Sequence, residues 1–251
     1  FTFSLLLCFA FSSCRSHSAT MSNGDGIDIS HHQGKINWKK VARHKDLQFV
    51  YIKATEGGTY QDPKYKHNLK QARRRGLKVG SYHFMRTTSS VWFQFLNFVS
   101  HVPQKKQDLV PVIDVEECKN WTSQQLADSV ALMSRLLEKV YGQKPMIYTG
   151  QNFYNRLPHH PLWIACYSNT PPKINSPYLI WQFTQRARLN GISTTVDLNR
   201  FTSKGNLKML ELKWGLENRQ LITDNNPTIR TWIVVRCFIY NRSTNRLPHI
   251  I

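Results

Sequence analysis

Apolar, β-branched and aromatic residues cluster in eight short runs, at 26–30, 48–54, 78–85, 109–115, 145–149, 162–167, 178–183 and 194–198, each the length of one strand. Helical spacing fills several of the gaps. Pro63 to Arg75 carries a strongly basic helical face and stops at Gly76, and Val91 to Val102 is apolar and aromatic. Thr122 to Tyr141 is the clearest amphipathic segment, with Leu126, Val130, Met133, Leu137 and Val140 on one face and Gly142 as its stop. Thr122 followed three residues later by Gln125 predicts a capping box. Strand, helix, strand repeated in this way predicts a parallel α/β sheet or barrel. The connections 150–161 and 168–177 are rich in Pro and Asn and too irregular for full helices. The expected architecture is therefore an α/β, incomplete (β/α)8-type barrel of eight mostly parallel strands, with helices missing in its second half. It should occupy residues 24–210, between an export segment with a short linker (1–23) and a C-terminal extension of unknown role (211–251).

Within these runs acids recur where burial makes them costly. Leu109-Val110-Pro111-Val112-Ile113-Asp114-Val115-Glu116 is an apolar strand ending in two carboxylates. Alternation along a strand puts Asp114 and Glu116 on one face, about 7 Å apart along the chain before side-chain adjustment. Two carboxyls that close perturb each other, so that one holds its proton near neutral pH while the other ionises, the division of labour that glycosidic cleavage requires. Asp28 lies in Gly26-Ile27-Asp28-Ile29-Ser30, Glu56 ends Phe49-Val50-Tyr51-Ile52-Lys53-Ala54-Thr55-Glu56, and Asp197 lies in Thr195-Val196-Asp197-Leu198. Charges in buried strands are tolerated at a pocket, in a pair or in a hydrogen-bond network. Acids so far apart in sequence act together only if the strand ends meet at one mouth.

In order and spacing, Gly26-Ile27-Asp28-Ile29-Ser30, Tyr51-Ile52-Lys53-Ala54-Thr55-Glu56-Gly57, Gly80-Ser81-Tyr82-His83-Phe84, Pro111-Val112-Ile113-Asp114-Val115-Glu116, Ile147-Tyr148-Thr149, Leu162-Trp163-Ile164-Ala165, Ile180-Trp181-Gln182 and Val196-Asp197-Leu198-Asn199 resemble glycoside hydrolase family 25. The resemblance runs from about Gly24 to Phe201. It implies a flattened β/α barrel and a lysozyme of the N-acetylmuramidase type, which cleaves the β-1,4 bond between N-acetylmuramic acid and N-acetylglucosamine in peptidoglycan with retention of configuration. Carried over by position, Glu116 would be the general acid and then the base. Asp114 would sit beside it ionised, either as nucleophile or as the residue that orients the substrate's 2-acetamido group. Asp28 and Asp197 would flank the pair from the first and last strands. Glu56 would bind substrate nearby, although Lys53 could instead simply pair with it. Tyr82, Tyr148 and Trp163, at strand ends where a ring can face a pyranose, and Gln182, in a matching motif, complete the expected substrate-binding set. The competing reading is a non-catalytic cell-wall glycan-binding barrel, which has no need of a paired acid and base.

Charge and cysteine content refine the partners. Among 251 residues, 34 Lys and Arg against 15 Asp and Glu leave a formal net charge of +19, a field that attracts polyanions. Arg73-Arg74-Arg75 with Lys64, Lys66 and Lys70 would suit phosphates of nucleic acid equally well. Nucleic acid would leave the strand-end acids unexplained, so the expected partners are peptidoglycan glycan strands and an anionic cell-wall surface, with no nucleic acid. No spacing of His, Cys and carboxylate, including His31-His32 and His83, matches a metal site; no cofactor is expected. Residues 1–14 read as the apolar core of a secretory signal, and Phe11-Ser12-Ser13-Cys14 resembles a lipoprotein cleavage box. The expected destination is outside the cytoplasm, as a periplasmic, lipid-anchored (through Cys14) or extracellular monomer. Cys118, Cys166 and Cys237 make an odd set, which argues against a disulfide framework. Trp232 to Tyr240 is an apolar run without a partner pattern.

Overall fold

The structure, a computed structural model, describes residues 24–157 and 160–213. The proposed export segment with Cys14, and the tail from residue 214 with Cys237 and the 232–240 run, lie outside the described residues. The strands are β1 (Gly26–Ile29), β2 (Phe49–Glu56), β3 (Tyr60–Gln61), β4 (Lys78–Phe84), β5 (Val112–Val115), β6 (Met146–Gly150), β7 (Leu162–Ala165), β8 (Tyr178–Ala187) and β9 (Val196–Phe201). All but β3 close into a barrel in the order β1, β9, β8, β7, β6, β5, β4, β2 and back to β1. β3 was not anticipated; it folds back antiparallel on the end of β2, with Thr55 opposite Gln61.

Every barrel pairing is parallel except the two made by β9, which runs antiparallel to both β8 and β1. The reversal has a simple cause. A parallel connection needs a crossover of about a dozen residues or more, and Arg188 to Thr195 is too short to make one.

Helices α1 (Trp38–Val41), α2 (Tyr65–Arg74), α3 (Val91–His101) and α4 (Ser123–Tyr141) all precede β6; among the described residues after it come only a 3₁₀ turn at Tyr154–Arg156 and the single-turn α5 (Leu207–Leu210). The missing helices are thus those of the second half. The capping box at Thr122 and Gln125 is formed, and Gly142 ends α4 with φ of 75°, a conformation that favours glycine.

The barrel interior is packed with aromatic rings in tiers. Phe49 lies 5.1 Å from Phe201, Tyr51 5.3 Å from Trp163, and Trp163 5.1 Å from Tyr148, between ring centroids. Two glycines make room for them. A Cβ on Gly26 would come within 2.3 Å of the Phe49 ring, and one on Gly80 within 2.2 Å of the Tyr51 ring. The interior is therefore closed below the strand ends by solid packing rather than open as a pore.

At the opposite end of the barrel the chain after α5 braces the start of β5. The expected strand 109–115 begins only at Val112, because Leu109 and Val110 pair elsewhere: Val110 N–H donates to the Leu210 carbonyl (2.8 Å), and Leu109 bridges Glu211. Leu212 N–H donates to the Asp108 carbonyl at 2.9 Å, and Leu210 and Leu212 are both buried. The packed chain thus continues past residue 210, where the boundary was expected. Cutting the chain after Asn206 removes two buried leucines and uncovers the surface they pack on, a loss of about 3–6 kcal/mol, whereas cutting after Lys213 retains them. Thermal unfolding should show a cooperative transition near the full-length Tm for the longer fragment and a large drop for the shorter.

Candidate active site

The barrel register gathers the acids predicted from the strand pattern. Asp28 on β1 lies directly opposite Asp197 on β9, and only the reversed direction of β9 brings Asp197, near its start, to the mouth formed by the ends of the parallel strands. Asp114 on β5 is flanked in register by Phe84 on β4 and Tyr148 on β6. Glu116 follows two residues later on the same face and shares a hydrogen bond with Asp114. These four carboxyls line one cleft of about 280 Å³ with Tyr82, Tyr148 and Trp163. Tyr82, Tyr148 and Trp163 were expected there; Trp163, 1% exposed, serves as floor.

Two of the expected substrate-binding residues play other parts. Gln182 is buried behind the cleft, where its Oε1 accepts from Tyr148 (2.8 Å) and Tyr167 (3.0 Å) while its Nε2 donates to Asp28 (3.0 Å). It positions two cleft rings and a cleft carboxylate at once. Glu56 is absent from the cleft lining. Lys53 reaches it at 2.5 Å and Arg86 at 2.6 Å, and Arg86 extends the chain of charges to Glu117 at 3.1 Å. Burial pushes Glu56 up, but these cations outweigh it and hold the carboxyl below its ordinary range.

Sequence reasoning missed Lys53 and Asn199. Lys53 lines the cleft at 8% exposure, with Nζ 4.9 Å from the centre of the Phe84 ring. The signal was its place two residues after Tyr51 in an apolar strand, hence on the interior face. Asn199 is wholly buried; it donates to Asp28 (2.7 Å) and accepts from the Trp163 indole (2.9 Å). His32, Gln33, Tyr167 and Gln185 complete the rim.

Burial dominates the electrostatics. It raises Asp28, against hydrogen bonds donated by Asn199, Gln182 and Asp197. It also pushes Asp197 up to about 9, helped by the Asp28 charge across the ladder. Like charges directly opposite in a sheet repel, and the pair responds by holding one proton, on Asp197. Asp114, 5% exposed, is raised well above the usual carboxylate range by burial and then by Glu116. Glu116 stands exposed at the rim; partial desolvation raises it too, while the hydrogen bond from Asp114 opposes the shift. Burial thus opposes ionisation of both carboxyls, and most at Asp114, because the deeper carboxyl is the costlier one to charge. Asp114 Oδ1 is buried with no hydrogen-bond partner.

The histidines that invited a metal reading are engaged otherwise. His83, on the outer face of β4, bonds Thr55 Oγ1 (2.7 Å) and Gln94 Oε1 (3.0 Å), and burial lowers it to about 4, so it is neutral. His31 bonds Asp62 at 3.0 Å. Among the described residues no three His, Cys, Asp or Glu side chains are grouped to hold a metal ion, and Cys118 and Cys166 are free thiols.

Comparison with known proteins matches residues 27–192 to the family described as Glycosyl hydrolases family 25. The chain belongs to that family. Family 25 membership makes it a glycoside hydrolase. A relative from Escherichia coli strain K12, the protein YegX, is 34% identical over 186 residues, covering 70% of this chain and 68% of its own. The autolytic lysozyme of Clostridium acetobutylicum is 34% identical over 184 residues, covering 70% and 55%. A solved family 25 glycosyl hydrolase from Bacillus anthracis is similar with a TM-score of 0.69 and 31% identity, over 78% of this chain and 96% of that one.

The family 25 site should leave a mark on stability. Asp197 titrates near 9 when folded and near its ordinary 3.8 when unfolded, so the folded state binds the extra proton between those values. Stability from this group is complete below about pH 4 and is lost as pH rises toward 9. Calorimetry from about pH 5 to about pH 9 should show the Tm of the wild type falling more steeply than that of Asp197→Asn; parallel curves would contradict the assignment.

Proposed function

We propose that this family 25 hydrolase is a lysozyme of the N-acetylmuramidase type, acting on the β-1,4 bond between N-acetylmuramic acid and N-acetylglucosamine in peptidoglycan. The observation that carries the reading is the direct Asp114–Glu116 hydrogen bond in a cleft where four carboxyls converge. Glu116, the exposed member, is the general acid: it gives its proton to the leaving glycosidic oxygen, then takes one from the incoming water. Asp114 supplies that proton. Its Oδ1 has no partner within the protein and would accept the N–H of a substrate 2-acetamido group once substrate is bound. That bond favours an ionised Asp114, so the proton crosses to Glu116 as substrate binds. The acetamido oxygen then attacks the anomeric carbon as the leaving oxygen is protonated, and water opens the resulting ring. Two displacements at one carbon retain configuration. The contact between the carboxyls supports this, since an inverting pair stands about 6.5–9.5 Å apart with water between.

Asp28, anchored by Asn199 and Gln182, keeps negative potential beneath the developing oxocarbenium charge, and Lys53 limits how far the carboxyl pKa values climb. A wall-binding barrel without turnover gives no role to two proton-sharing pairs. The wall as substrate places the enzyme's action outside the cytoplasm; among the described residues no helix is long and apolar enough to cross a membrane.

Release of reducing ends from purified peptidoglycan, with N-acetylmuramic acid as the new terminus and the β-anomer as first product, tests the reading directly. An N-acetylglucosamine terminus would overturn it. Glu116→Gln should fold normally and lose about 10²- to 10⁴-fold in turnover, because the amide keeps the shape but has no proton to deliver. Asp114→Asn should also be severely impaired. The wild-type pH profile should be bell-shaped, its limbs belonging to the coupled pair rather than to either residue.

A further inference from the structure

Outside the cleft, α2 and the segment after α3 enclose a groove of about 570 Å³. Its cations are Lys66, Lys70 and Arg73 from α2 and Lys105 and Lys106 from the 3₁₀ turn Gln104–Lys106, with His101 at the end of α3. Among the described residues none of these four lysines has an ion-pair partner. The nearby acids are few and engaged. Asp108 holds one nitrogen of Arg73 at 3.3 Å, and Asp62 holds His31 at 3.0 Å.

Two polar atoms of the groove are left over. His101 is 7% exposed and its Nε2 has no hydrogen-bond partner; Arg73 Nη1 is also buried and unpartnered. Buried polar nitrogens are rarely left unsatisfied, because each forfeits its bonds to water. Here both belong to side chains that line one groove with the lysines. The wall behind them is rigid. Tyr65, Ser81 and Gln107 form a closed triangle of hydrogen bonds of 2.7, 2.7 and 3.1 Å, and the His101 ring packs 5.1 Å from that of Tyr65.

We propose that this groove is a second, non-catalytic site that binds the phosphate of a phosphodiester-linked polyol chain, with Arg73 and His101 donating to the phosphate oxygens and the lysines surrounding them. The lining separates this ligand from nucleic acid. Single-stranded nucleic acid is held by stacking bases on free ring faces. The Tyr65 ring is completely buried and His101 is packed against it, so no ring face is offered. Pro103, exposed at the groove, instead presents aliphatic surface suited to the carbon chain of a polyol. The choice of polymer rests on the proposed lysozyme activity, because such chains are met where a wall is the substrate. The site would tether the enzyme to its wall while leaving the cleft free.

Titration calorimetry on the full chain, with a synthetic poly(glycerol phosphate) oligomer and with inorganic phosphate as probes, tests the proposal without requiring turnover. The wild type should bind the oligomer. The pair of charge reversals Lys70→Glu and Lys105→Glu, and separately His101→Phe, which keeps the ring packed on Tyr65, should each weaken it by about tenfold or more, the size expected for a lost charge-assisted contact. Hydrolysis of a short soluble muramyl glycan should stay at the wild-type rate in all of them. Unchanged oligomer affinity in variants whose circular dichroism matches the wild type would overturn the site. Tighter binding of a single-stranded DNA oligomer of equal charge would overturn the ligand. A wild type that binds the oligomer through these residues yet cleaves no glycan would support the groove while removing the lysozyme reading.

Discussion

Desolvation of carboxyls above a dry aromatic floor is the constraint on which the site depends. Phe49, Phe201, Tyr51 and Trp163 fill the barrel from below, so Asp28 and Asp114 sit on packed hydrocarbon with water reaching them from one side only. In water four acids would all ionise at neutral pH. Above this floor burial raises all four above the ordinary carboxylate range, and the readiness of each to ionise becomes a property of depth. The small residues opposite the rings serve the same end, since without Gly26 and Gly80 the tiers could not close.

The cost of gathering like charges is met by neutral donors rather than by a wall of cations. Asp28 receives two amide N–H groups, from Asn199 and Gln182, and these amides are themselves fixed by Trp163 and by Tyr148 and Tyr167. Amide dipoles stabilise a buried carboxylate while leaving it free to respond to a neighbour's proton. A close arginine would have held it ionised at every working pH, as Arg86 and Lys53 do for Glu56 outside the cleft. Two acids in similar strand-end positions thus acquire different characters from whether their partners are amides or cations.

The fold and the four central acids were readable in the sequence because both leave period-2 signatures: apolar runs for the strands, and acids two residues apart or set alone among β-branched neighbours. Harder to read was anything decided by the direction or partner of a strand. The reversal of β9 hides in the length of the connection Arg188 to Thr195, and β3 is only two residues long. Glu56 looked like Asp28 and Asp197, ending an apolar run, and only the three-dimensional reach of Arg86 from β4's far end set it apart. Gln182 was assigned to sugar binding because its motif matched; that its amide faces inward, toward Asp28, depends on a strand pairing across the barrel seam. The greater burial of Asp114 relative to Glu116 was illegible for a related reason, since depth below the rim is not a property of residue spacing.

The seam between β1 and β9 has one more consequence. Asp28 and the donor Asn199 are 171 residues apart in sequence, and Gln182 is 154 away. Contacts of such separation form late, after intervening segments have paid their loop-closure entropy. A chain emerging from the ribosome, or threaded outward in an extended state, therefore carries Asp114 and Glu116 long before it carries the anchored Asp28 and its partner Asp197. The cleft of four carboxyls is complete only with ring closure, and a truncated or stalled chain that lacks its last strand lacks both Asp197 and the donor that anchors Asp28.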